Sequence, residues 1–428
     1  MSDPIEVEDH LARVLSLASA LPAGEMALDD SAGSVLAEPV VAAVDVPVFT
    51  NSAMDGFAVR LEDVASAHEA PATLPVAGDT PAGAGAPPPI APGTCVRVMT
   101  GAPVPGNAEA VIPVEDTDIP AGPHALPNAV TFSPADPVKA GANIRRRGED
   151  VASGDEILPA GTVMGALEIG AAASVNVGTV IARPRPRVAI VVTGSELAEP
   201  GTSLRPGQIP ESNGHLLRAL ATEAGAAVVS VETAHDTVGE VADALSRAAA
   251  HADLVVTSGG VSAGAFDVAK EFGIEHGFTF SKVKMQPGKP QGSGLLDGGD
   301  GRAVPCLMLP GNPVSAWLSF VLFALPMLDS LQGMEPRTPE REDAQAGRPW
   351  VSPKGRRQYI VVQIAPNEVG GKRPQVVPLH RLGSGSHLAA TLPKAQAVAI
   401  VPATANAAAP GDGVKFFRLS GGIPASRR

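Results

Sequence analysis

The chain has 428 residues, which at roughly 100 to 200 residues per domain allows two to four domains and a sizeable core. Hydrophobic residues make up 44% and charged residues 18%, a globular balance that excludes whole-chain disorder, while aromatics at 3% leave small apolar side chains to fill much of the interior. Lys and Arg number 32 against 45 Asp and Glu, and the net charge of −13 repels nucleic-acid phosphates and anionic membrane surfaces, so neither is an expected partner.

The acidic opening MSDPIEVEDH lacks the basic and apolar regions of a secretory signal and predicts no export. Val7, Leu11, Val14, Leu15, Ala18 and Leu21 recur on one helical face, predicting an amphipathic helix that Pro22 ends. From Pro71 to Gly93 Pro, Ala and Gly dominate, and from Pro113 to Pro137 short apolar pieces alternate with turn residues, the pattern of a small strand-rich module with long loops. A second helical face runs from Met164 to Val175, and Pro184 and Pro186 mark a boundary.

From Arg187 onward RVAIVVT, AAVVSVE, DLVVTSGG and PCLMLPG read as strands, separated by helical periods at Gly214 to Ala224, Val238 to Ala250 and Val314 to Leu328. Strands alternating with helices predict a mostly parallel sheet covered on both faces. Val314 to Leu328 is the longest apolar stretch, short of the ~18 to 20 residues of a membrane span, and reads as a buried helix. After Leu331 GRRQYIVVQIA, PQVVPLH, AQAVAIVPA and GVKFFRLSG predict a small C-terminal β domain. Cys95 and Cys306 lie far apart with no metal-ligand spacing around them, so they read as inert core thiols in a reducing cytoplasm.

Ligands of an open parallel sheet bind beyond the carboxyl ends of its strands. Three of the four strands end in a glycine turn: Thr193-Gly194-Ser195-Glu196, Ser258-Gly259-Gly260-Val261-Ser262-Ala263-Gly264, and Pro310-Gly311-Asn312-Pro313. One such turn alone means only a tight bend, but three on one edge let backbone N–H groups approach a phosphate. Glu196, Asp236 and Asp267 fall near the same edge, and carboxylates beside a phosphate repel it unless a cation bridges them, which points to Mg²⁺. Each acid taken singly is also explained as a helix cap or a solvated loop residue.

Basic residues cluster at Arg145, Arg146 and Arg147, at Lys282, Lys284 and Lys289, and at Arg356 with Arg357. Arg145 and Arg146 read as a solvated charge run, whereas Lys289, in Gln286-Pro287-Gly288-Lys289-Pro290, is presented by a rigid turn as a clamp for a small oxyanion. The segments 51–58, 97–102 and 143–150 are glycine-flanked polar loops compatible with turns and caps.

NSAMDGFA, RVMTGAPVP, NIRRRGED, TGSEL, SGGVSAGAFD, PGKP, LPGNPVSA and GSGSH, in this order, resemble the molybdopterin molybdenumtransferase family, also called the MoeA or gephyrin E-domain family. The resemblance implies an α/β multidomain protein. Its parts would be an elongated helical dimerisation domain (1–48 and 141–184), an inserted β module (49–140), a three-layer α/β molybdenum-cofactor-binding-like domain (185–330) and a C-terminal β-barrel-like domain (331–428). It further implies a cytoplasmic homodimer that inserts molybdate into adenylylated molybdopterin with Mg²⁺ and releases AMP.

By this resemblance Glu196, Asp236 and Asp267 would hold metal or nucleotide, and Lys289, Arg356 and Ser386 would bind molybdate. Ser258, Gly259, Gly260, Ser262, Gly264, Pro310, Asn312 and Pro313 would form the substrate loops. Asp55, Thr100, Arg147 and Asp150 would come from the partner's inserted module, with Asp55, Thr100 and Asp150 joining Glu196 and Asp267 as catalytic residues. Gln286 stands where many relatives carry Lys, and Lys284, two positions away in an extended segment, is the expected compensating charge for the substrate.

Two other readings compete: a non-catalytic scaffold of the gephyrin type, and the molybdopterin adenylyltransferase, which is also a candidate delivery partner. The retained acids argue against the first and the extra modules against the second. A dehydrogenase is weaker still, since no GxGxxG follows the first strand.

Overall fold

Within Arg187–Thr193, Val188, Ile190 and Val192 belong to one apolar cluster, and Ala189 and Val191 to another. That alternation buries both faces of the strand and so requires a layer on each side of the sheet. The structure is a computed structural model and describes residues 3–261, 268–299, 301–365, 373–380 and 385–425. Its chain divides into one unit of Met1–Gly24, Gly33–Ala37 and Ala182–Arg428, and another of Glu25–Ala32 and Glu38–Ile181.

The larger unit holds a six-stranded sheet of β1 (Arg187–Thr193), β2 (Ala227–Ala234), β3 (Leu254–Ser258), β4 (Thr279–Lys282), β5 (Pro290–Asp297) and β6 (Ala303–Leu309), in the order β2-β1-β3-β6-β5-β4. The first four in that order run parallel, as the alternating pattern predicts. β5 and β4 extend the sheet antiparallel and have no counterpart in the sequence reading. The reason is compositional: β5 carries Gly292 and Gly294, residues that ordinarily weaken a strand. Here they make room for aromatic rings, because a Cβ on Gly294 would stand 2.4 Å from Phe278 and one on Gly292 2.7 Å from Phe280.

One cluster packs β1, β3 and β6 against the helices Asn213–Glu223 and Pro313–Ser319, and the other packs the same strands against Val238–His251 and Val268–Glu275. The helix begun at Pro313 continues through a π segment, Phe320–Ala324, into Leu325–Leu331. Pro326 has no N–H to continue the regular ladder at that point. At 19 residues, Pro313–Leu331, this run is longer than the sequence predicts and long and apolar enough to cross a membrane, yet it lies buried inside the unit, as expected.

The N-terminal helix is shorter than its periodicity predicts and spans Val7–Leu15. Leu17 and Ala18 donate to the carbonyls three residues back, which tightens the last turn, and Leu21 donates instead to Leu331. Toward the C-terminus Glu342–Ala346, Arg357–Ala365, Gln375–Pro378, Ala397–Val401 and Gly413–Ser420 pair in a closed ring, a small barrel. Ile360, Val362, Ala399 and Phe416 are buried in its own cluster, while Tyr359, Val361, Val398 and Ile400 join the cluster of the Pro313 helix. The short strand Met285–Gln286 pairs with Arg357–Gln358, which ties the Pro-Gly turn to the barrel edge.

The smaller unit holds a five-stranded sheet in the order Ala110–Pro113, Gly56–Val59, Cys95–Val98, Ala72–Thr80, Ala129–Phe132. Phe57 and Phe132 meet edge to face at 6.0 Å in its core. The helix Ala166–Ser174 lies in the same unit, and Glu156–Leu158 pairs with Val40–Val41. Both cysteines are free and buried, as expected; burial pushes the Cys95 thiol up to about 12, and the Cys306 thiol also upward.

Candidate functional site

The carboxyl ends of β1, β2, β3 and β6 open onto a cavity of ≈ 950 Å³ in the larger unit. Thr193, Gly194 and Glu196 line it from β1, Asp236 from β2, Ser258, Gly259 and Gly260 from β3, and Pro310, Asn312 and Pro313 from β6. The turn Gln286–Pro290, Arg356 and Ser386 line it as well. Thus Glu196, Asp236, Lys289, Arg356 and Ser386 share one cavity with the glycine turns. Ser262, Gly264 and Asp267 lie outside the described residues.

Gly259 is required by the geometry: its φ is +107°, and a Cβ there would stand 2.4 Å from the Thr193 carbonyl oxygen. The end of β3 can therefore pass directly against the end of β1. Asn213, absent from the sequence expectations, joins the walls. Its Nδ2 donates to Ser258 Oγ at 2.9 Å and to the Gly311 carbonyl at 2.6 Å, and Ser258 Oγ donates to the Pro310 carbonyl at 3.1 Å. The signal that could have found it is the Ser-Asn pair just before an apolar helical period.

Asp236 and the turn after β1 hold each other. Ser195 N–H donates to Asp236 Oδ2 at 2.8 Å, and the Asp236 N–H donates to Ser195 Oγ at 3.2 Å. Among the described residues, the other carboxylate oxygen of Asp236 and the Glu196 carboxylate accept no hydrogen bond. Among the described residues no three His, Cys, Asp or Glu side chains come together as a metal cage. Two carboxylates in a cavity with room for a phosphate-bearing ligand would fit Mg²⁺ bound largely through water and phosphate oxygens, not an all-protein site.

Lys289 and Arg356 enter no ion pair among the described residues, although the chain is acidic. Arg357 differs: its guanidinium makes a forked pair with Glu8 at 2.6 and 3.1 Å. Lys284 is a correction to the sequence expectation. It does not line the cavity, and its ammonium donates to Glu6 Oε1 at 2.7 Å, which raises its pKa. The expectation relied on an extended run from 284 to 286, but Met285 N–H bonds back to the Val283 carbonyl at 2.8 Å, a three-residue turn that breaks the alternation. Gln286 therefore lines the cavity without a compensating Lys284.

The remaining candidates lie in the smaller unit. Asp55 accepts from Thr100 N–H at 2.6 Å and Thr100 Oγ1 at 2.8 Å, and these bonds hold its carboxyl below the ordinary range. Asp55 borders a cavity of ≈ 420 Å³ together with Arg97 and Glu115. Arg147 pairs with Asp45, and Asp150 is exposed with its N–H bonded to the Val46 carbonyl.

Strand tips, glycine turns and cations with no ion pair among the described residues surround one cavity of an α/β protein, a site suited to an anionic ligand. The family models narrow the class: "MoeA N-terminal region (domain I and II)" matches residues 5–176, and "Probable molybdopterin binding domain" matches residues 189–330. The chain is 44% identical over 362 residues to molybdopterin molybdenumtransferase 2 of Mycobacterium tuberculosis, covering 82% of this chain and 86% of that one. It is 33% identical over 415 residues to molybdopterin molybdenumtransferase 1 of the same organism, covering 92% and 94%. Its fold is similar to the crystal structure of a molybdopterin biosynthesis MoeA protein from Pyrococcus horikosii, with a TM-score of 0.76, 27% identity, and 98% and 100% of the two chains covered. The chain belongs to the molybdopterin molybdenumtransferase family, and it is an enzyme of molybdenum cofactor biosynthesis.

Proposed function

We propose that this enzyme inserts molybdate into adenylylated molybdopterin with release of AMP, assisted by Mg²⁺, as a cytoplasmic homodimer. The observation that carries the reading is the meeting of the glycine turns, Glu196 and Asp236 with the unpaired Lys289 and Arg356 in one cavity. In this reading the N–H groups around Gly260 and Gly311 approach the phosphates of the adenylate, while Lys289, Arg356 and Ser386 take the charge of the molybdate oxyanion. Glu196 and Asp236 would hold Mg²⁺, which supplies positive charge at the phosphoanhydride. Asp55, Thr100, Arg147 and Asp150 would act from the partner subunit's copy of the smaller unit. The adenylyltransferase that makes the substrate is the proposed delivery partner.

The experiment incubates purified protein with adenylylated molybdopterin, molybdate and Mg²⁺ and follows AMP release together with cofactor formation. Coupled appearance of both supports the reading. AMP release without metal insertion would reduce the activity to hydrolysis, and a monomer at full activity would remove the partner's contribution.

A further inference from the structure

The helix beginning at Pro313 is apolar almost throughout, yet it carries Ser319 with no exposed surface, facing Gln291 of β5, which is 1% exposed. Burying two uncharged polar side chains in an apolar core costs stability unless their bonds accomplish something. Gln291 Nε2 donates to Ser319 Oγ at 2.7 Å and to the Gly288 carbonyl at 2.7 Å. Its Oε1, equally buried, has no partner among the described residues. The amide is thus kept although only half its capacity is used, and the half in use grips the turn Gln286–Pro290 that carries Lys289 into the cavity.

We infer that Gln291, supported by Ser319, is a positioning residue that holds this turn so that Lys289 meets the oxyanion. The inference rests on the proposed reaction. It differs from a purely structural role in one respect: an apolar side chain of similar volume at 291 keeps the core filled but leaves the Gly288 carbonyl and Ser319 Oγ without their donor, so a modest loss of stability should come with weaker oxyanion binding and without a matching loss of pterin binding.

The test compares Gln291→Met, Ser319→Ala and Lys289→Ala with the wild-type enzyme. Thermal melting, titration with molybdate alone, and the KM values for molybdate and for adenylylated molybdopterin are measured for each. Gln291→Met is expected to raise the molybdate KM about tenfold, the effect of one lost hydrogen bond to the turn, with the pterin KM changed less than about twofold and melting lowered only modestly by the two acceptors left without a donor. Ser319→Ala should act in the same direction more weakly. If Lys289→Ala weakens molybdate binding and Gln291→Met does not, the positioning role is wrong while the reading of the cavity stands. If Lys289→Ala leaves molybdate binding intact, the oxyanion reading itself fails. Loss of melting temperature with a parallel rise in both KM values would make Gln291 structural, and should Gln291→Met not fold, Ser319→Ala carries the same comparison.

Discussion

Asn213 donates to the hydroxyl of Ser258 across 2.9 Å, and the direction of that bond is forced, because the one proton on Ser258 Oγ is given to the Pro310 carbonyl. The second Nδ2 proton goes to the Gly311 carbonyl at 2.6 Å, so rotating the amide by half a turn would set its oxygen against another oxygen. One side chain at a helix start thereby fixes the exits of β3 and β6, which place the glycine turns around the cavity.

Replacing that amide by a carboxylate keeps its shape and reverses its chemistry. Asn213→Asp would hold a buried acceptor against the Gly311 carbonyl, and we expect a loss of about 2 to 4 kcal/mol. Asn213→Ala, which leaves the Gly311 carbonyl without its donor, should cost about 1 to 3 kcal/mol. Urea unfolding at neutral pH measures both, and an unchanged midpoint in Asn213→Asp would show that the network does not hold the walls.

Arg356 and Arg357 are neighbours with different tasks. Arg356→Ala should raise the molybdate concentration for half saturation about tenfold while melting is unaffected, because its charge enters no ion pair among the described residues. Arg357→Ala removes the pair to Glu8, whose side chain is 55% exposed, so about 0.5 kcal/mol of stability should be lost with binding unchanged. Calorimetric titration with molybdate decides this; equal losses of affinity in the two variants would contradict the division.

The strand tips were readable because the alternation of Val188, Ile190 and Val192 with Ala189 and Val191 is local, as are the turns at Gly194, Gly259 and Gly311. β5 was not, since the reason for Gly292 and Gly294 is the bulk of Phe280 and Phe278, on another strand or just before it. The family resemblance implies the barrel, but its ring closure is not visible in the local pattern: it depends on Arg357–Ala365 pairing with both Gln375–Pro378 and Ala397–Val401, a choice made by long-range packing. Lys284 was misplaced for a smaller reason, one backbone bond between Met285 and Val283 that no side-chain pattern announces. The partners of Asn213 and Ser319, and one of the two partners of Gln291, lie tens of positions away, so their placement in the fold had to be known first.

If Glu196 and Asp236 hold Mg²⁺ as proposed, the reaction depends on the metal. Chelation by EDTA should stop AMP release and added Mg²⁺ should restore it. Asp236→Asn retains an oxygen for the Ser195 N–H but drops one negative charge, so it should need about tenfold more Mg²⁺ for half-maximal rate at little change in stability. Turnover that persists after exhaustive chelation would remove the cation from the reaction.

His10 is 1% exposed on the N-terminal helix and meets the Phe323 ring edge-on at 4.6 Å; burial, with a smaller repulsion from Arg13, lowers its pKa from 6.5 to about 4. In the unfolded chain the same imidazole takes up its proton near 6.5, so between these values the unfolded state binds more protons and stability rises with pH. The contribution is complete above about 6.5 and is lost as the pH falls toward 4. It amounts to roughly 2 kcal/mol between pH 7 and 5. His10→Leu fills the site without a titrating group, and its urea midpoint should change less than that of the wild type over this interval. If both proteins lose stability with the same slope, the acid sensitivity belongs to other groups and the helix is held independently of the charge on His10.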